Sequence, residues 1–132
     1  MKQGIVLLGH GSRDPEWSQP FEKIAVSLGK RLPAVAVALA YLEHGPSLEE
    51  AVTVLAAKGA LSIRVVPLFL GTGGHLRRDL PPLVDALRAA HPALDIRLHA
   101  AIGEHAAVVE AMAAAAVAAA GLGPVHPPGG LA

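Results

Sequence analysis

Four times along its 132 residues the chain repeats one pattern, a short apolar run of strand length followed by a turn and a helical periodicity. Residues 3–8, around Gly4-Ile5-Val6-Leu7-Leu8, read as a buried strand. Residues 16–32 set Phe21, Ile24, Ala25, Leu28 and Leu32 at three- and four-residue spacing, which predicts a helix that has Pro20 in its first turn or starts there. Residues 34–42 are apolar and partly β-branched, a second strand. Pro46-Ser47-Leu48-Glu49-Glu50 opens the second helix, with Ser47 as N-cap and Glu50 completing a capping box. Leu48, Val52 and Leu55 form its buried face, and Gly59 ends it. The third strand is read over 62–70 and the third helix over 76–90, with Pro81 and Pro82 in its first turns and expected to bend it. Residues 94–101 read as the fourth strand, and Glu104 to Ala120 as a last helix favoured by alanine.

This alternation predicts an α/β fold, a single three-layer domain over residues 1–120. A four-stranded parallel sheet carries helices on both faces, joined by right-handed crossovers. The simplest strand order is 2-1-3-4. The order then reverses between strands 1 and 3, and a crevice opens at the carboxyl ends of the strands there. Residues 121–132 are rich in Gly and Pro and are expected to form a mobile tail outside the core.

Two histidines stand where that crevice is expected. His10 follows the first strand in Leu8-Gly9-His10-Gly11-Ser12-Arg13, and His75 follows the third in Gly71-Thr72-Gly73-Gly74-His75. Neutral imidazole is a common metal ligand, and imidazole exchanges protons near neutral pH. Two of them at one sheet edge suggest a metal or proton-transfer site. Glu43, in Glu43-His44-Gly45-Pro46 after the second strand, can reach the same crevice; it is equally placed as a solvated acid near a helix N-terminus. Arg13, Arg77 and Arg78 flank the two histidine loops. They are either solvated charges, weakly paired with Asp14 or Asp79, or binders of an anionic ligand's carboxylates. Glu104 and His105 follow strand 4 and stand further out. His91, before Pro92, suits a helix end, and neither it nor His99 nor His126 is given a function.

Composition narrows the chemistry. There is no cysteine, so disulfides, thiolate zinc sites, iron–sulfur clusters and a cysteine nucleophile are excluded. A metal must be met by His and carboxylate, which suits borderline divalent ions. Eleven basic and eleven acidic residues cancel, which speaks against a nucleic-acid or anionic-membrane surface. The start, Met1-Lys2-Gln3-Gly4, lacks a signal-peptide pattern, and the alanine-rich stretch 111–120 is too short to span a bilayer, so the cytoplasm is the expected location. No Gly-x-Gly-x-x-Gly, phosphate loop or Gly-x-Ser-x-Gly occurs. Gly9-His10-Gly11 is similar to the Arg-His-Gly of histidine phosphatases, but Gly9 stands where the phosphate-binding arginine would be.

The motifs Leu7-Leu8-Gly9-His10-Gly11-Ser12-Arg13-Asp14, Tyr41-Leu42-Glu43 with Pro46-Ser47, Val66-Pro67-Leu68-Phe69-Leu70 with Gly73-Gly74-His75, and Asp79-Leu80-Pro81 carry a resemblance. Together, from about residue 4 to about 105, they resemble the sirohydrochlorin chelatases, and more closely their short single-domain form, the small sirohydrochlorin cobaltochelatases. The resemblance implies a chelatase-like fold and insertion of a divalent ion into the tetrapyrrole sirohydrochlorin, in cobalamin or siroheme biosynthesis. Co2+ comes first, with Fe2+ or Ni2+ as alternatives, and no organic cofactor is needed. It implies His10 as proton acceptor and metal ligand and His75 as second metal ligand. Glu43 and the loop Leu70-Gly71-Thr72-Gly73-Gly74 would contact the macrocycle or its metal, with Ser12 and Arg13 counted among the substrate contacts. Larger chelatases face two such domains across one cleft, so a one-domain chain is expected to pair with itself as a homodimer. The histidine-rich segment of some relatives is missing; the tail holds only His126. Sequence does not separate an enzyme from a metal or tetrapyrrole carrier of the same fold.

Overall fold

The computed structural model describes residues 2–123, so the tail expectation, His126 included, lies outside the described residues from 124 onward. Strand β1 (Gln3–Gly9) leads through a 3-10 turn (Pro15–Ser18) into α1 (Gln19–Arg31). Then come β2 (Ala36–Tyr41), α2 (Leu48–Ala57), β3 (Ser62–Pro67), α3 (Gly74–Ala90) and β4 (Asp95–Leu98). A second 3-10 turn (Ile102–Glu104) precedes α4 (Ala106–Ala120). The sheet order is β2-β1-β3-β4 and every pairing is parallel, as expected.

Alternation along the strands divides the side chains between two faces. Val6, Leu8, Ile63, Val65 and Ile96 point to one face and pack with Leu48, Val52 and Leu55 of α2 and Leu80, Val84 and Leu87 of α3. Each such side chain taken fully out of water contributes about 1.5–3 kcal/mol. The capping box that starts α2 is formed: the Glu50 N–H donates to Ser47 Oγ at 3.1 Å, and the Ser47 N–H donates to Glu50 Oε1 at 3.3 Å. Right-handed crossovers put α1 on the other face, because the step from β1 to β2 runs opposite to the later ones. That face is thinly covered. The periodicity of α1 holds, yet none of its residues is buried: Phe21, Ala25 and Leu28 are half-buried, and Ile24 and Leu32 are exposed.

Several boundaries differ from the sequence reading. Helix α1 starts at Gln19 rather than 16, after a 3-10 turn, β2 spans Ala36–Tyr41 rather than 34–42, and α4 starts at Ala106 rather than 104. One residue bears on two further differences. The Val65 carbonyl accepts from the His99 N–H at 2.9 Å, and the next rung between β3 and β4 would need an N–H at position 67. Pro67 has none. Strand β4 therefore stops at Leu98 instead of 101, and β3, left beyond this point with only its β1 side, ends at Pro67 instead of 70. Helix α3 starts at Gly74, two residues early, because Gly73 already takes an extended N-cap conformation (φ −66°, ψ 164°). Pro81 and Pro82 consequently lie in the helix interior. Among the described residues no helix is long and apolar enough to cross a membrane.

Candidate active site

β1 ends at Gly9, and the next residue, His10, is exposed. The β1–β2 ladder continues past both strand ends: Leu42 N–H donates to the Gly9 carbonyl at 3.0 Å, and Glu43 N–H to the His10 carbonyl at 2.8 Å. This places the His10 loop and Glu43 side by side, with Glu43 itself exposed. Gly11 turns the chain at φ +96°, and a Cβ there would stand 3.0 Å from Tyr41 Cβ and 3.1 Å from the His44 nitrogen. Only glycine suits both the conformation and the space.

On the β3 side the Leu68 N–H donates to the Leu8 carbonyl at 2.8 Å, so the chain leaves the sheet beside the end of β1. Phe69 then turns inward and is almost fully buried. The His10 imidazole rests against its ring, with centroids 4.5 Å apart and planes tilted by 41°. One aromatic contact thus connects the first histidine loop with the segment that leads to the second. The following loop is held from below: the Gly103 N–H donates to the Phe69 carbonyl at 2.9 Å, and the Leu70 backbone lies directly on the Gly103 Cα, where any Cβ would collide with it. Above, the loop is bare. Leu70 is exposed, Thr72 is half-buried, and a Cβ on Gly71, Gly73 or Gly74 would meet nothing within 4 Å. These three glycines are not demanded by packing within the chain.

His75 lies in the first turn of α3 rather than in the loop before it. Its Nε2 stands 2.9 Å from Asp79 Oδ2, one helical turn on, with both side chains open to solvent. An exposed pair of this kind stabilises little by itself, but it orients the ring. The pairing of Asp14 and Asp79 with arginines is not formed. Asp14 instead caps the 3-10 turn, its Oδ1 accepting from the Glu16 N–H at 2.9 Å, while Ser12 Oγ accepts from the Asp14 N–H at 3.1 Å. Arg13, Arg77 and Arg78 make no ion pair among the described residues. Also among the described residues, no three His, Asp or Glu side chains converge closely enough to hold an ion. His10, Glu43 and His75 are spread along an open edge, and an ion meeting them needs further donors.

The sequence reading missed the aromatic support of this edge. The chain has one Trp, one Tyr and two Phe. Three of the four cluster beneath the first loop, with Trp17 and Phe21 centroids 4.6 Å apart and Tyr41 5.9 Å from Trp17 and 6.2 Å from Phe21. The fourth is Phe69. Their scarcity was the available signal, because each falls within a few residues of a strand's carboxyl end or in the helix that follows. Tyr41 Oη is buried without a hydrogen-bond partner among the described residues. Burial pushes its phenol above 10.0, the Glu22 carboxylate adds to this, and the nearby Ser18 hydroxyl partly offsets both. Ser18 Oγ donates its own hydrogen to the Pro15 carbonyl at 3.1 Å.

The sequence matches the CbiX family over residues 4–119. The chain belongs to that family. It is 45% identical over 82 residues to a sirohydrochlorin cobaltochelatase of Saccharolobus solfataricus, a match covering 61% of this chain and 62% of that relative's length. A crystal structure from Marinobacter aquaeolei VT8, named for CbiX and cobalamin biosynthesis, superposes with a TM-score of 0.79 at 34% identity, over 92% of this chain and 99% of that one. A sirohydrochlorin chelatase from Bacillus subtilis subspecies spizizenii, solved in complex with cobalt, superposes with a TM-score of 0.69 at 29% identity, over 77% of this chain but only 44% of that one.

Proposed function

We propose that this CbiX protein inserts a divalent metal ion, Co2+ foremost, into sirohydrochlorin. The observation that carries the reading is the pair of imidazoles following the adjacent parallel strands β1 and β3, on the motifs that mark the family. The names of the relatives supply the substrate. Insertion replaces two pyrrole N–H bonds with metal–nitrogen bonds and releases two protons. In this reading His10 accepts a proton and holds the arriving ion with His75, and Glu43 steadies the ion or the ring. The ring nitrogens supply the remaining donors, which suits an edge where no three protein ligands converge. The bare glycines 71, 73 and 74 leave room for a flat macrocycle, and the unpaired Arg13, Arg77 and Arg78 are available to its peripheral carboxylates.

The protein works as a homodimer in this reading, and in the cytoplasm. The chain corresponds to 44% of the Bacillus chelatase, so a similar cleft requires a second unit of this size. Fe2+ and Ni2+ remain chemically suited, since His and carboxylate ligands accept all three ions. The test is anaerobic incubation with sirohydrochlorin and each ion in turn, following the absorbance change on metallation. Turnover fastest with Co2+ supports the proposal. Tight binding of tetrapyrrole or metal with no turnover for any ion makes the protein a carrier.

A further inference from the structure

Among the described residues, helix α4 contacts chiefly the second 3-10 turn. Its 15 residues include one charge, Glu110, and none of them is buried. Val109, Met112 and Val117 are 52%, 48% and 41% exposed. At 100° per residue, Val108, Met112, Val109 and Val117 cover half of the helix surface, with Glu110 on the margin beside Val117. No strand follows β4, so no crossover fixes the side of the sheet on which α4 packs. Here α4 turns away after the second 3-10 turn.

The α1 side of the sheet is only half-covered here. Ile5, Arg64 and Val66 are half-buried and, with Ala100 and Ile102 and the polar His99, Glu104 and His105 at its end, line a mostly apolar groove of about 430 Å3. Ile5 pairs in register with Arg64, and Arg64 with Arg97, so two guanidinium groups stand beside this groove on adjacent strands. Arg64 has no ion pair among the described residues, and Arg97 has only a 3.4 Å contact with Asp95.

We infer that α4 docks in the groove over Ile5, Arg64 and Val66 of a second copy of this chain, with Glu110 meeting the arginines, and that the second copy returns the same contact. The apolar sides match, Arg64 and Arg97 outnumber the groove's own Glu104 and so leave positive charge for Glu110, and both surfaces belong to one sequence, as a two-fold exchange requires. The area also suffices. A helix of this length is about 22 Å long and about 10 Å across, so one face buries roughly 300 Å2 against a sheet. Two exchanged helices and the two faces they cover bury roughly 1,200 Å2, within reach of a stable interface. The inference rests on the two-copy reading above but can fail separately from it.

The chain lacks cysteine, so introduced thiols report alone. Val66→Cys protein mixed with Met112→Cys protein and a short bis-maleimide is expected to give a covalent heterodimer, while Ser27→Cys on α1 mixed with Met112→Cys gives none. Glu110→Arg is expected to weaken the dimer tenfold or more, roughly, and Arg64→Glu in the same chain to restore it. A 66–112 link that forms within one chain of a Val66→Cys/Met112→Cys double variant, with none between the two single variants, overturns the inference, because α4 then closes on its own sheet. A dimer by sedimentation that yields no 66–112 link overturns this interface and leaves the two-copy reading standing. A monomer at high micromolar concentration overturns both.

Discussion

Two glycine substitutions separate what the second loop needs for folding from what it offers to a ligand. At Gly103 an added Cβ falls on the Leu70 backbone, so the loop must shift. Overpacking of this kind costs about 1–3 kcal/mol. The shift also breaks the 2.9 Å bond from the Gly103 N–H to the Phe69 carbonyl, a further loss of about 0.5–1.5 kcal/mol. Gly103→Ala should therefore destabilise the domain by about 2–4 kcal/mol. At a urea slope of about 1–3 kcal/mol per molar, the midpoint falls by about 1–2 M. At Gly73 the backbone already suits alanine, and a Cβ meets nothing within 4 Å. The small loss in N-cap preference and the small gain from a stiffer unfolded chain nearly cancel, leaving the midpoint within about 0.5 kcal/mol of wild type. Unfolding can be followed through Trp17, the single tryptophan, which packs on Phe21 and Tyr41. Gly73→Ala should keep its midpoint and, on the proposed function, lose much of its cobalt insertion, since the new methyl enters space that reading assigns to the macrocycle. Gly103→Ala unfolding at the wild-type urea concentration would refute the packing argument. Gly73→Ala working at full rate would refute the assignment of the open space.

His10→Ala and His75→Ala should each fold normally and lose insertion by about 10²–10⁴-fold, while His91→Ala and His99→Ala change it little; rates within a few-fold of wild type at limiting metal would remove the pair from the site. Phe69→Leu keeps a buried apolar side chain but takes the ring from under His10, so insertion should fall more than stability does; equal losses in urea and rate measurements would make Phe69 a packing residue only. Tyr41 is the single tyrosine, so phenolate absorbance reads it alone. Its folded pKa lies above the ordinary 10.0, so the protonated phenol is retained longer in the folded state; the resulting stability is intact below that pH and is lost as pH rises through the raised value. A native titration at or below that of the urea-unfolded protein would contradict the burial argument.

The fold was legible because its signals are periodic and local. A βα pattern repeated four times admits few topologies once crossovers are right-handed, and Ser47 with Glu50 marks one helix start within four residues. What the sequence reading lost was the length of β3 and β4. Apolar character continues through Leu68, Phe69 and Leu70, and periodicity alone cannot show that the ladder has run out of donors at Pro67. The loose packing of α1 was not legible for a related reason. Spacing reveals which side of a helix faces a sheet, and says nothing about how closely it approaches.

The site divides along the same line. That His10, Glu43 and His75 belong to one sheet edge follows from strand order, which the alternation predicts. How the edge is held does not, because its supports lie far apart in the chain. Phe69 under His10 is 59 residues away, and Gly103 under Leu70 is 33 residues away and belongs to the segment after the last strand. The same separation explains why glycines that look alike in sequence differ in kind. Gly11 and Gly103 are required by neighbouring backbone or side chains of this chain. Gly71, Gly73 and Gly74 have no such neighbours among the described residues, so those residues supply no packing reason for them. A flat ring approaching His10 and His75 supplies one, and it makes the bare loop the part of the edge where substitution should change chemistry before it changes stability.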